Sequence, residues 1–276
     1  MNSIIVPSDF SETSNNAARY AAHLATLIPD SHIILFNVFS TIEPGSDSSP
    51  LESDDQGRKQ ILEFALKSVE NDISAITKAP VSIVVKEDNH FVDSLERYVR
   101  HNNVQLIVMG ITGASRLGQI FMGSNTLNLV TRQLTAPVVI VPPDAFFKNA
   151  KNIMLISDFN DVESTIPVTA LKGLLNLFKP SLHVVNIDTD HYVELTEHYK
   201  TERAKMHTIL EEYRPEYYFI RLYDFMDAIN QFVEDKGIEM IITFPRKHST
   251  LSKIFKSSHT KKLAYHSSVP IVAIHS

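Results

Sequence analysis

Cysteine is missing from this chain, and glycine is scarce, with eight residues in 276. Without thiols there are no disulfides and no thiolate nucleophiles or metal ligands, and a reducing compartment is the natural setting. No apolar run approaches the roughly eighteen residues of a membrane span, and the opening "MNSIIVPSDF" lacks the basic start and long apolar core of a secretory leader. The chain is therefore expected to be soluble, unprocessed and cytoplasmic, with no membrane partner. A basic excess is missing too. The 26 Lys and Arg face 32 Asp and Glu, a formal charge of -6, which argues against nonspecific binding along nucleic acid. The phosphate loop G-x-x-x-x-G-K-[ST] does not occur. With 43% hydrophobic residues, the chain can build one large core or two of ordinary size.

What is present is an α/β pattern, written twice. The β-branched "SIIVPSDF" leads into "ETSNNAARYAAHLATLI", where Ala17, Tyr20, Ala21, Leu24 and Leu27 recur at helical spacing. Then come the strand "HIILFNVF", a helical stretch from Arg58 to Thr77 and the strand "VSIVVKE". Two further pairs follow: "FVDSLERYVRHN" before "VQLIVMG", and "SNTLNLVTRQL" before "APVVIVPP". Such alternation implies a parallel sheet with right-handed crossovers. Residues 153–187 lie on residues 4–38 without a gap, setting Ser8, Asp9 and Phe10 on Ser157, Asp158 and Phe159, and Asn37 on Asn186. Further on, Asp93 falls on Asp227, Ser124 on Ser258, Thr126 on Thr260 and Leu129 on Leu263. The chain is an internal duplication. The expected domains are 1–146 and 147–276, divided near "PPDAFFKNAKN", where Pro142 and Pro143 end the fifth strand. The first copy is longer by a loop, "TIEPGSDSSPLESDDQG", rich in Ser, Asp, Pro and Gly.

Half of the scarce glycine sits in "MGITGASRLGQIFMGSNTLNLV", as Gly110, Gly113, Gly118 and Gly123. Glycine admits positive φ and lets another group approach the backbone. With strand order 3-2-1-4-5, a crevice opens at the carboxyl ends of the first and fourth strands, where the order reverses. Asp9 and Gly110 then face each other. Ser124 opens an amphipathic helix whose free N–H groups attract anions, and the side chains missing at Gly110, Gly113 and Gly123 would clear the approach to it. Asp9 has a second reading, as a turn residue capping the first helix, and Arg116 as a solvated loop cation.

Gly110, two residues, Gly113, nine residues and Gly123-Ser124 together resemble the G-x2-G-x9-G-[S/T] nucleotide loop of the universal stress proteins, and "VPSDFSETS" resembles their first strand and turn. The resemblance covers essentially the whole chain as two tandem copies. It implies two Rossmann-like domains, each a five-stranded parallel sheet of order 3-2-1-4-5 with helices on both faces. It also implies a site for ATP, ADP or AMP, which magnesium can accompany. Asp9 would lie near the ribose or base, Val38 at the base, and Pro7 and Ser8 on the floor. Met109 and Gly110 would flank the ribose, with Gly113, Arg116, Gly123, Ser124, Asn125 and Thr126 around the phosphates. The implied role is a non-catalytic regulator or sensor in the stress response. The fifth strands, "APVVIVPP" and "VPIVAIHS", would pair antiparallel within the chain, with further dimerisation and protein partners left open.

The second copy departs from this pattern: Phe244 stands for Gly110, Lys247 for Gly113 and Ser257 for Gly123, although Ser258 and Asp158 remain. One nucleotide per chain is expected, with Phe244 in the space of ribose or phosphate. The basic stretch between Phe244 and His266 reads as a solvated face. The seven histidines from His183 to His266 lack ligand spacing with a third partner, so no metal site is assigned. Residues 110–126 hold no Asp, Glu, Lys or His, so a slow ATPase or self-phosphorylating protein, using Ser124 or Thr126, is the alternative. A protein-interaction scaffold is the third.

Overall fold

The computed structural model describes residues 2–40, 55–111, 124–187, 197–220, 225–245 and 269–275. In the first half β1 (Asn2–Pro7), α1 (Glu12–Ala25), β2 (Ser31–Phe39), α2 (Asp55–Ser74) and β3 (Val81–Glu87) lead to α3 (Phe91–His101), β4 (Leu106–Gly110), α4 (Ser124–Val130) and β5 (Val138–Val141). The second half runs β6 (Asn152–Ile156), α5 (Val162–Thr165), α6 (Val168–Phe178), β7 (Ser181–Ile187) and α7 (Glu197–Leu210), then β8 (Glu216–Ile220), α8 (Phe225–Lys236), β9 (Met240–Thr243) and β10 (Ile271–Ala273). The helix expected over 58–77 begins and ends three residues earlier.

All ten strands form one sheet in the order β3-β2-β1-β4-β5-β10-β9-β6-β7-β8. Each half has the order 3-2-1-4-5. Pairing is parallel within each half and antiparallel between β5 and β10, where Ile140 faces Ile271, Val139 faces Val272 and Val138 faces Ala273. Aligning the copies on Pro137 and Pro270 makes Val139 the equivalent of Val272. The central pair of the junction is therefore a residue and its own counterpart, as a local two-fold requires. Neither fifth strand is left as an exposed edge.

Side chains alternate across each strand. Ile4 and Val6 join the core that Ala17, Ala18, Ala21 and Ala22 of α1 cover, while Ile5 joins the opposite core with Leu95 of α3 and Leu129 of α4. β4, β5 and β9 are buried throughout, as strands covered on both faces must be. The Ser11 hydroxyl caps α1, accepting from the Ser14 N–H at 3.2 Å. The copies also share rare backbone geometry. Phe10 and Phe159, Asp30 and Lys179, and Asn103 and Gly237 are equivalent pairs, and all six have φ between 47° and 65°, a left-handed conformation that side chains seldom adopt.

The first helix of each copy departs from the symmetry. Where α1 is continuous, the second half has two short helices, because Ile166 is extended (φ -94°, ψ 118°) ahead of Pro167, as a residue before proline tends to be.

Candidate functional site

At the carboxyl ends of β1, β2 and β4 the chain leaves a cleft of about 140 Å³, lined by Pro7, Ser8, Asp9, Ser14, Asn37, Val38, Phe91, Met109, Gly110, Asn125 and Thr126. It opens where the strand order reverses, between β1 and β4. Eight of these residues were expected from sequence: Pro7, Ser8, Asp9, Val38, Met109, Gly110, Asn125 and Thr126. Gly113, Arg116, Gly123 and the Ser124 side chain lie outside the described residues.

The floor is a hydrogen-bonded turn. Ser8 Oγ accepts the Phe10 N–H at 3.2 Å, which holds Phe10 in its left-handed conformation. The Asn37 amide Nδ2 donates to the Ser8 carbonyl at 2.8 Å, tying β2 to the end of β1. The second half repeats both bonds, from Phe159 N to Ser157 Oγ at 3.1 Å and from Asn186 Nδ2 to Ser157 O at 2.9 Å. Asp9 is exposed, and its Oδ1 accepts from Ser11 N at 3.1 Å and Ser11 Oγ at 2.5 Å. It steadies the residue that caps α1, and it also borders the cleft. Thr126 is fully buried and donates to the Gly110 carbonyl at 3.4 Å, joining α4 to the end of β4.

Gly110 has a different first duty from the one expected. A Cβ there would lie 2.5 Å from the Thr13 carbonyl oxygen and 2.7 Å from its carbon. The missing side chain lets α1 close on β4. Phe244, expected in the space of ribose or phosphate, is 2% exposed and belongs to the core that contains Phe159 and Leu171.

Sequence reasoning passed over Ser14, Phe91 and Asn37. Asn37 carried a signal, a polar residue inside the apolar run "HIILFNVF" and repeated at Asn186. Its Oδ1 is buried without a hydrogen-bond partner. The lining offers an apolar wall from Val38, Phe91 and Met109 and a carboxylate from Asp9. Among the described residues no group of three or more His, Asp or Glu is placed to hold a metal ion, and no helix is long and apolar enough to cross a membrane.

Residues 1–142 match the universal stress protein family. No curated protein sequence is detectably similar to the chain. Among solved structures, a universal stress protein from Archaeoglobus fulgidus is similar over 99% of this chain and 96% of its own, with a TM-score of 0.70 and 17% identity. A functionally unknown protein from Pseudomonas aeruginosa is similar over 100% of this chain and 92% of its own, with a TM-score of 0.61 and 11% identity. At these identities the likeness concerns the fold.

Proposed function

The chain belongs to the universal stress protein family, and from that premise we propose that its first half binds one adenine nucleotide, ATP, ADP or AMP, and serves as a regulator or sensor in the stress response without turnover. The observation that carries this is the convergence of β1, β2, α3, β4 and α4 on one cleft, where the strand order reverses.

Each residue type has a task there. Val38, Phe91 and Met109 offer an apolar surface to a base, and Asp9 an acceptor to ribose hydroxyls. The glycine loop of residues 110–123 and the N–H groups of α4 would take the phosphates. A magnesium ion, if the nucleotide brings one, would find Asp9 as the carboxylate lining the cleft. Turnover would require a base to orient water together with charge stabilisation at the phosphates. The one lining carboxylate already accepts two bonds from Ser11.

Calorimetry with ATP, ADP and AMP, alongside mass spectrometry of any small molecule released on denaturation, tests this. The expected result is one nucleotide per chain and ADP release at the background rate. Two nucleotides per chain would refute the asymmetry between the halves. Hydrolysis abolished by Asp9→Ala would make the protein an enzyme instead.

A further inference from the structure

α4 forms one wall of the cleft, seated on the core by the buried Thr126, Leu129 and Val130. It is seven residues long, shorter than a helix that persists alone, yet it carries Asn125 and Thr126 into the cleft. Its last carbonyls have no partner inside the helix. At that end His275, just past β10, places Nε2 2.7 Å from the Val130 carbonyl oxygen. A carbonyl only accepts, so Nε2 carries the proton. The other ring nitrogen, Nδ1, is buried without a partner. A side-chain donor at this position satisfies a terminal carbonyl and complements the helix dipole. Arg132, just beyond the helix, is tied to α3 through Asp93 at 2.6 Å and Glu96 at 2.9 Å.

The histidine bond crosses between the halves. Val130 belongs to the first copy and His275 to the second, 145 positions apart. The antiparallel pairing of Ala273 with Val138 sets His275 at that place. When the fifth strands are aligned on their prolines, the counterpart of His275 is Pro142. Proline has no side-chain donor, and the Pro142 carbonyl instead accepts from Asn16 Nδ2 at 3.1 Å. Among the described residues the first copy returns no equivalent bond. Support is delivered to the copy that keeps the glycine loop.

We propose, resting on the nucleotide reading of the cleft, that His275 is a positioning residue: through it the second half fixes α4 and thereby sets the wall against which the first half binds its nucleotide. The degenerate copy is then a working part of its neighbour's site. His275 touches no ligand. It acts through the Val130 carbonyl and the turn of helix between Val130 and Thr126.

The test uses the full chain with His275→Ala and His275→Gln, the latter keeping an amide donor. Amide hydrogen exchange is followed across residues 125–132 without nucleotide, and ATP affinity is measured by calorimetry. In His275→Ala, exchange in α4 is expected to rise about tenfold and ATP affinity to fall about five- to tenfold, the scale of one lost hydrogen bond. His275→Gln is expected to bring both back to within about twofold of the unaltered protein. Unchanged α4 exchange in His275→Ala overturns the proposal. So does a Gln variant as impaired as the Ala variant, or exchange that rises evenly through the whole sheet. If the unaltered protein binds no ATP, the nucleotide reading fails by itself, and α4 exchange still decides whether His275 holds the helix.

Discussion

A Cβ built on Gly110 reaches within 2.5 Å of the Thr13 carbonyl oxygen, which belongs to backbone and cannot swing aside. Gly110→Ala is therefore expected to push α1 off β4 and lower stability by about 1–3 kcal/mol, read from urea unfolding with no nucleotide present. Unaltered stability would return Gly110 to a ligand-facing role alone. Asn37→Leu is expected to cost about 1–3 kcal/mol by leaving the Ser8 carbonyl without its buried donor, and also to weaken ATP binding in calorimetry. A sequence shows that glycine is clustered, but not which backbone comes close to it. The candidate cleft was thus legible in part: Pro7, Ser8, Asp9, Val38, Met109, Gly110, Asn125 and Thr126 line it. The packing duty of Gly110 depends on the distance between two elements far apart in the chain, and no local pattern records that distance.

Where α1 begins with a serine cap, α5 begins with a buried acid. Glu202 of α7 is 4% exposed, and its Oε2 accepts the Val162 N–H at 2.7 Å while Lys205 Nζ donates to Oε1 at 2.8 Å. The bond from Lys205, and after it the Val162 N–H, hold this carboxyl below the usual carboxylate range. The folded form thus favours the ionised acid. Its stabilisation is fully present above the unfolded value near 4.5 and fades as pH falls through the lower folded value. Glu202→Gln is expected to reduce stability at pH 7 by about 1–3 kcal/mol, with the gap to the unaltered protein closing below pH 4.5, in denaturant melts taken across the acid range. A gap independent of pH would mean that packing, not charge, is lost. This element was hard to foresee, because the duplication predicts a helix like α1. The Ile166-Pro167 break, with Ile166 extended ahead of the proline, departs from the first copy at that point.

The ten-stranded sheet joins its halves through a short junction of three facing pairs, Val138 with Ala273, Val139 with Val272 and Ile140 with Ile271. The parallel sheet of each half followed from alternating elements and from the repeat, and its strand order from the family resemblance. How two such sheets would meet depended on which edge each leaves bare, and hydrophobic spacing within one strand does not reveal that. Because Val139 faces its own counterpart, a second copy of the first half offers β5 the same partner geometry that β10 supplies. A fragment of residues 1–146 would expose β5 as an apolar edge strand, which is a template for pairing. It is expected to self-associate into a dimer in sedimentation velocity at micromolar concentration, where the full chain has β5 covered. Val139→Lys would place two like charges opposite each other at the axis and is expected to return the fragment to a monomer. A fragment that stays monomeric without that change would show that the junction needs features of the second half beyond its strand, with the His275 bond to Val130 the first to examine.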